Sequence, residues 1–156
     1  MKTPPRTERD VLAHRLVTGI VLIAVLLVLL WLDASLGPIA LGSWMLPPGL
    51  LLAGLGAVVV ALGAGELVRV ADAAGIRTDG RLTAAATVLT MLATWLSAAV
   101  PPEAATMLPV TALALILVAS LVRFSAGRRV EDAFSSTAVV LLISIYLGAL
   151  SGFLLL

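Results

Sequence analysis

The stretch LVTGIVLIAVLLVLLWL, residues 16–32, decides the fold, because it is strongly apolar and holds no charged residue. A run of this kind approaches the roughly 20 residues that an α-helix needs to cross the hydrocarbon core of a bilayer. The whole chain is 61% hydrophobic and 12% charged, which is about half the charged share of an average soluble domain. We therefore expect an integral membrane protein for which lipid is part of the solvent.

Four further apolar stretches predict more membrane-spanning helices. The five expected helices cover about 16–32, 50–70, 82–100, 108–122 and 136–156. Proline and glycine residues separate several of these stretches, and proline disrupts the interior of a helix. The sequence therefore predicts an all-α, polytopic transmembrane helix bundle of about five spans. A basic leader over residues 1–15 would precede a membrane domain over residues 16–156.

The distribution of positive charge predicts the orientation of the bundle. All ten basic residues lie before the first span, from the end of the second span to the start of the third, or between the fourth and fifth: Lys2, Arg6, Arg9, Arg15, Arg69, Arg77, Arg81, Arg123, Arg128 and Arg129. The other two connections, residues 33–49 and 101–107, contain none. Since connections rich in lysine and arginine stay on the cytoplasmic side, we predict a cytoplasmic N-terminus. The expected location is the cell inner membrane, as a multi-pass protein.

Composition excludes several kinds of site. The chain has no cysteine, which excludes disulfides and thiolate metal ligands, and a single histidine, which excludes a multi-histidine metal site. Binding to nucleic acid is not expected, because no long basic run or aromatic platform is present. The sequence also lacks a P-loop, a zinc-protease helix motif and a nucleophile elbow. The residues by themselves therefore indicate no catalytic centre and no metal site.

Three charged residues are candidates for binding a lipid or another substrate. Arg15 directly precedes the first span, where it could bind an anionic headgroup or act only as a topology anchor. Glu66 and Arg69 are three residues apart and can pair on one helix face. A carboxylate within an apolar run is costly unless it is paired or reaches the interface. The pair is therefore either an anchor near the end of the second helix or part of a polar cavity.

Small residues recur at four-residue spacing on two of the expected helices. The second helix carries Gly49, Ala53, Ala57, Ala61 and Gly65, and the fifth carries Ser144, Gly148 and Gly152. Such faces allow two helices to approach closely, either inside one bundle or across a homodimer interface. The third helix instead carries a run of threonines, whose hydroxyls we expect to bond to carbonyls of their own helix.

Three stretches, in chain order, carry a resemblance to a known enzyme family. They are His14–Ile23 (HRLVTGIVLI), Gly63–Arg69 (GAGELVR, followed by Gly75) and Ile145–Leu150 (IYLGAL). The first resembles the basic entry into the first helix of phosphatidate cytidylyltransferases, also called CDP-diacylglycerol synthases. The second is similar to the family's A-x-E stretch at the close of its second helix, and the third to a Tyr-x-Gly segment of a later helix.

This resemblance implies a specific reaction for the full-length enzyme. It would join phosphatidic acid and CTP to give CDP-diacylglycerol and pyrophosphate, with Mg²⁺ bridging the nucleotide phosphates. Its partners would be membrane lipids, phosphatidic acid and CTP. Members of the family are longer, and their signature of a Lys-Asp pair and a Gly-Gly-x-x-Asp-Arg run is missing here. We therefore expect the catalytic and metal-binding residues beyond Leu156, and an N-terminal portion that is inactive alone and binds no cofactor.

Two non-enzymatic interpretations remain open at this point. The chain could be a small membrane protein that acts as a scaffold or as a subunit of a transporter, which suits its small-residue faces. It could also be half of a transporter that needs a partner of inverted topology. No internal repeat is evident in the sequence.

Overall fold

A computed structural model describes residues 8–37, 39–41, 44–126 and 130–156 of the protein. Its helices are α1 (Glu8–Leu36), α2 (Leu50–Ala73), α3 (Gly80–Leu96), α4 (Pro102–Ala105), α5 (Met107–Ser125), α6 (Val130–Ile143) and α7 (Leu150–Leu154). A 3₁₀ turn, Ser97–Ala99, follows α3, and a π-helical segment, Ser144–Ala149, joins α6 to α7. Between α1 and α2 lies a short antiparallel hairpin of β1 (Ile39–Leu41) and β2 (Trp44–Leu46), with Ile39 opposite Leu46.

Five helical stretches of the described chain are long and apolar enough to cross a membrane. They are Leu16–Leu36, Leu50–Ala73, Gly80–Ala99, Pro102–Ser125 and Val130–Leu154. The prediction of an all-α, polytopic bundle of five spans is therefore confirmed, and the chain is a multi-pass membrane protein. Residues 1–7 of the expected leader lie outside the described residues, whereas residues 8–15 continue α1 towards the N-terminus.

Two polar contacts bring together one set of connections between the spans. Arg123 Nη2 donates to Asp79 Oδ2 at 3.2 Å, and Ser136 Oγ donates to the carbonyl oxygen of Arg77 at 2.7 Å. The α2–α3 and α5–α6 connections therefore lie at the same end of the bundle. We call this the basic end, because both connections carry arginines.

Two other contacts define the opposite end of the bundle. The backbone N–H of Leu51 donates to Asp33 Oδ1 at 2.8 Å, which joins the end of α1 to the start of α2. Trp95 Nε1 donates to the carbonyl oxygen of Pro48 at 3.1 Å, which places the end of α3 beside them. The spans thus alternate in direction, as the charge distribution predicted.

Helix α3 lies at the centre of the bundle. It begins after Asp79, whose side chain accepts the backbone N–H groups of Arg81 and Leu82 and so caps the first turn. Four buried threonines follow along its length, and each hydroxyl donates to the carbonyl four residues earlier: Thr83, Thr87, Thr90 and Thr94. The prediction for these threonines is confirmed. Because each hydroxyl is satisfied within its own helix, the threonine face can be buried against neighbouring helices.

The fifth span crosses α3 at two glycines of its small-residue face. A Cβ on Gly148 would lie 2.5 Å from the carbonyl oxygen of Thr87, and a Cβ on Gly152 would lie 2.5 Å from the Cβ of Thr94. Real Cβ atoms essentially never approach other atoms this closely. Glycine is therefore needed at both positions so that the backbone of the fifth span can reach α3, and this face packs inside the bundle.

Only part of the small-residue face of α2 is buried against neighbouring helices. The buried residues of α2 are Ala53, Val60, Ala64 and Val68. This set departs from the four-residue pattern because a helix has 3.6 residues per turn, so each four-residue step rotates by about 40°. At Gly65 an added Cβ would meet nothing within 4 Å. A homodimer through the open part of this face stays a prediction.

Candidate polar site at the basic end

The connection between α2 and α3 is shaped by local hydrogen bonds. Gly75 has a φ of +86°, a left-handed conformation that favours glycine, and its N–H donates to the carbonyl of Asp72. The N–H of Ile76 donates to the carbonyl of Ala71 at 3.0 Å. Further along, Asp72 Oδ1 accepts the N–H of Thr78 at 3.2 Å. These bonds hold residues 74–79 as a defined turn, with the backbone of Arg77 beside α6.

The first turns of α6 complete a pocket against this turn. Ser136 is buried, and its hydroxyl donates to the Arg77 carbonyl, which ties α6 to the α2–α3 connection. The pocket between them has a volume of about 370 Å³ and is lined by Gly75, Ile76, Arg77, Asp132, Ser135 and Ser136. A cavity of this size is large enough for a small polar group such as a headgroup or part of a nucleotide.

The lining of the pocket includes one arginine, one aspartate and two serines. Ser135 Oγ donates to the carbonyl of Glu131 at 3.0 Å, while Ser136 Oγ donates to the carbonyl of Arg77. Both serine hydrogens are therefore directed to backbone carbonyls rather than to a general base. Such a set can bind a polar ligand through charge and hydrogen bonds.

Two of the three candidate residues from the sequence form an ion pair away from this pocket. Arg69 Nη1 lies 2.7 Å from Glu66 Oε1, and the two side chains are 77% and 70% exposed. They extend from the outer face of α2, and neither lines the pocket. The pairing of Glu66 with Arg69 on one helix face is confirmed, and both side chains are exposed on the surface of α2.

The third candidate, Arg15, belongs to α1, and its side chain lies outside the described part of the structure. The structure therefore does not place it with the other two. The pocket residues Arg77 and Asp132 were not singled out from the sequence. One signal could have pointed to them, because both lie in connections that the charge distribution assigned to the same side of the membrane.

Comparisons with known proteins found no relative of this chain. No family model, curated protein or solved structure matches the chain. The resemblance to phosphatidate cytidylyltransferases therefore depends on the three short stretches of sequence alone.

Proposed function

We propose that this chain is the N-terminal membrane portion of a phosphatidate cytidylyltransferase, which transfers a cytidylyl group from CTP to phosphatidic acid. One observation supports this proposal above the others: two of the three family-like stretches pack against each other. A Cβ on Gly63 would lie 3.4 Å from Leu147 Cδ1. Ala64, which is fully buried, shares a hydrophobic cluster with Ile143 and Leu147. Because the two stretches pack against each other, their occurrence in the same chain has a structural cause.

The charge distribution supports a cytoplasmic location for the basic end in this proposal. CTP is a cytoplasmic nucleotide, so its site should open on that side of an inner membrane. The pocket lined by Arg77 and Asp132 lies at this end. Arg15, Glu66 and Arg69 remain the candidates for contact with phosphatidic acid, because arginines near the membrane surface attract anionic headgroups and Glu66 is paired with Arg69.

The proposal assigns the Mg²⁺ that the resemblance implies to another part of the full-length enzyme. Among the described residues, no group of three histidine, cysteine, aspartate or glutamate side chains is placed to hold a metal ion. We assign no step through the metal to this chain. The proposal places its ligands, together with the catalytic residues, in sequence that follows Leu156.

A direct assay tests the proposal. The 156-residue chain and the product of the reading frame extended past codon 156 would be purified in detergent. Each would be given phosphatidic acid in mixed micelles, labelled CTP and Mg²⁺. We expect the extended product to form CDP-diacylglycerol and pyrophosphate, and the 156-residue chain to form neither.

Three outcomes would contradict the proposal. Robust conversion by the 156-residue chain would show that the catalytic residues are not beyond Leu156. A folded extended product without CTP-dependent activity, or a stop codon directly after Leu156 in the intact gene, would favour the scaffold or transporter-subunit interpretation.

The variant Arg69→Gln in the extended product separates the two roles of the exposed pair. A raised KM for phosphatidic acid supports substrate contact, and unchanged kinetics support a structural anchor.

A further inference from the structure

The single tyrosine of the chain lies on the exposed side of the fifth span. Tyr146 belongs to the π-helical segment Ser144–Ala149, and 65% of its surface is exposed. A Cβ on Gly148 would meet the carbonyl oxygen of Thr87, so this part of the fifth span lies beside the middle of the third span, Gly80–Ala99. Tyr146 is two residues from Gly148 and therefore lies near the middle of the membrane.

The hydroxyl of Tyr146 has no hydrogen-bond partner among the residues that the structure describes. Neither water nor lipid supplies one at this depth, because the hydrocarbon core excludes water and lipid tails have no polar atoms. The headgroup region begins about 15 Å from the centre of a bilayer, which is further than a tyrosine side chain reaches. A hydroxyl without a partner in hydrocarbon is costly. We therefore expect a partner from another protein chain at the same depth.

A second copy of the chain has the right group at that depth. Identical copies insert into the membrane with the same orientation, because the distribution of arginine is the same in each. Two parallel copies can be related by a two-fold axis along the membrane normal, which places every residue at the depth of its counterpart. A phenol is both a donor and an acceptor, so two Tyr146 hydroxyls can pair with each other without a further residue.

The side chains next to Tyr146 form an exposed apolar surface that suits such a contact. Leu142 and Leu150 lie about one turn before and after Tyr146, and Phe153 lies about two turns after it; all are exposed. We call these four residues the tyrosine face. Large apolar side chains pack against lipid almost as well as against protein. The hydroxyl is therefore the group that favours association over contact with lipid.

The charges beside the tyrosine face do not oppose the association of identical copies. The fifth span packs beside α2, since a Cβ on Gly63 would lie 3.4 Å from Leu147 Cδ1. Glu66 lies about one turn from Gly63 and pairs with Arg69 at 2.7 Å, and both side chains are exposed. This pair has no net charge. Two copies related by a two-fold axis would thus present both signs to each other, which is a complementary arrangement.

We propose that the tyrosine face is the interface of a parallel homodimer, in which the Tyr146 hydroxyls of two copies form a hydrogen bond near the middle of the membrane. This interface does not depend on the proposed enzymatic function. It also differs from a dimer through the small-residue face of α2, because the contact is made by the fifth span.

Energy transfer between labelled copies of the 156-residue chain in liposomes tests this proposal. The chain has no native cysteine, so Glu103→Cys, at an exposed position of the opposite end, can carry a donor or an acceptor dye. Dilution of the protein in lipid then gives the dissociation constant of the dimer. We expect reversible association, and we expect Tyr146→Phe to weaken it about 3- to 30-fold, the range for a hydrogen bond between helices in a membrane.

Ser135→Ala is the matched control for the loss of a hydroxyl. Ser135 is also exposed on the fifth span, but its hydroxyl donates to the carbonyl of Glu131, so the dissociation constant should not change. Cross-linking is an independent measurement. With a membrane-permeable oxidant, Leu150→Cys on the tyrosine face should form disulfides between copies, whereas Leu115→Cys on the exposed side of α5 should not.

Three results would overturn the proposal. The first is energy transfer no greater than that of randomly dispersed copies at every protein density. The second is association of the Tyr146→Phe protein with an unchanged dissociation constant, which would place the interface on another face. The third is cross-linking at Leu115→Cys that equals or exceeds that at Leu150→Cys. The cross-linking comparison needs no change at Tyr146, so it decides the matter even if the Tyr146→Phe protein does not fold.

Discussion

Helices α1 and α3 show that apolarity and burial are separate properties in this protein. The span in α1 has a mean hydropathy of 2.7, and 6% of the residues in its 18-residue apolar stretch are buried in the bundle. The span in α3 has a mean hydropathy of 1.5, yet 39% of the residues in the corresponding stretch are buried. Lipid is as apolar as a leucine side chain, so large apolar residues gain little from facing another helix, whereas small and hydroxyl residues allow close packing. The less hydrophobic helix is therefore the central one.

The sharpest test of this comparison is truncation of one large side chain on each helix. Met91 of α3 is fully buried, and we expect Met91→Ala to lower the free energy of unfolding by about 2–5 kcal/mol through the lost contacts and the cavity. Leu22 of α1 is exposed, and Leu22→Ala should change the free energy of unfolding by less than about 0.5 kcal/mol. Unfolding in mixed SDS micelles, followed by circular dichroism, measures both values. Equal losses would show that α1 is packed as tightly as α3.

The next largest effect is expected where the fifth span crosses α3. Gly148→Ala and Gly152→Ala each force a Cβ into the space of α3, at 2.5 Å from its nearest atom, and should cost about 1–3 kcal/mol. Gly65→Ala on α2 is the matched control, because its Cβ would meet nothing within 4 Å. That control should be neutral or stabilising by up to about 1 kcal/mol, since alanine favours a helix more than glycine does. Thermal unfolding in detergent, followed by size-exclusion chromatography, distinguishes the outcomes.

A smaller effect is expected at the start of α3. Asp79→Ala removes the cap on Arg81 and Leu82 together with the contact to Arg123, and should cost about 1 kcal/mol. Asp79→Asn keeps a capping oxygen but removes the charge, and should recover most of that loss. The same unfolding measurement applies. If Asn is as damaging as Ala, the contact with Arg123 matters more than the cap.

The smallest effect is expected when a single hydroxyl is removed from the threonine face of α3. Thr87 is buried, but its hydroxyl donates to the carbonyl of Thr83 in its own helix, so Thr87→Val should cost less than about 1 kcal/mol. Thr87→Leu adds volume at a fully buried position and should cost about 1–3 kcal/mol. A large loss for Thr87→Val, measured by the same unfolding assay, would indicate that the hydroxyl has a further partner between helices.

Local features were predictable from the sequence, and features between distant residues were not. The hydroxyl bonds of the α3 threonines follow from a spacing of four residues within one helix, so the pattern was sufficient. The pairing of Glu66 with Arg69 follows from their spacing in the same way. The pocket was not foreseen, because Arg77 and Asp132 meet only when the α2–α3 connection lies beside α6. Nothing in the local sequence of either residue specifies that neighbour.

The sequence by itself determined that the chain crosses a membrane five times, because the lengths of its helices match the thickness of the hydrocarbon core and their residues are apolar. It also placed the arginines in or beside connections that alternate with connections holding no lysine or arginine. Only the tertiary structure decided which helix is central and that Asp33 caps α2 rather than simply ending α1. The physical reason is that the lipid environment favours apolar helix surfaces but does not determine which helices pack together. The choice of partner depends on close contacts, such as that of Gly152 with α3, and on the few buried polar groups that need a hydrogen bond.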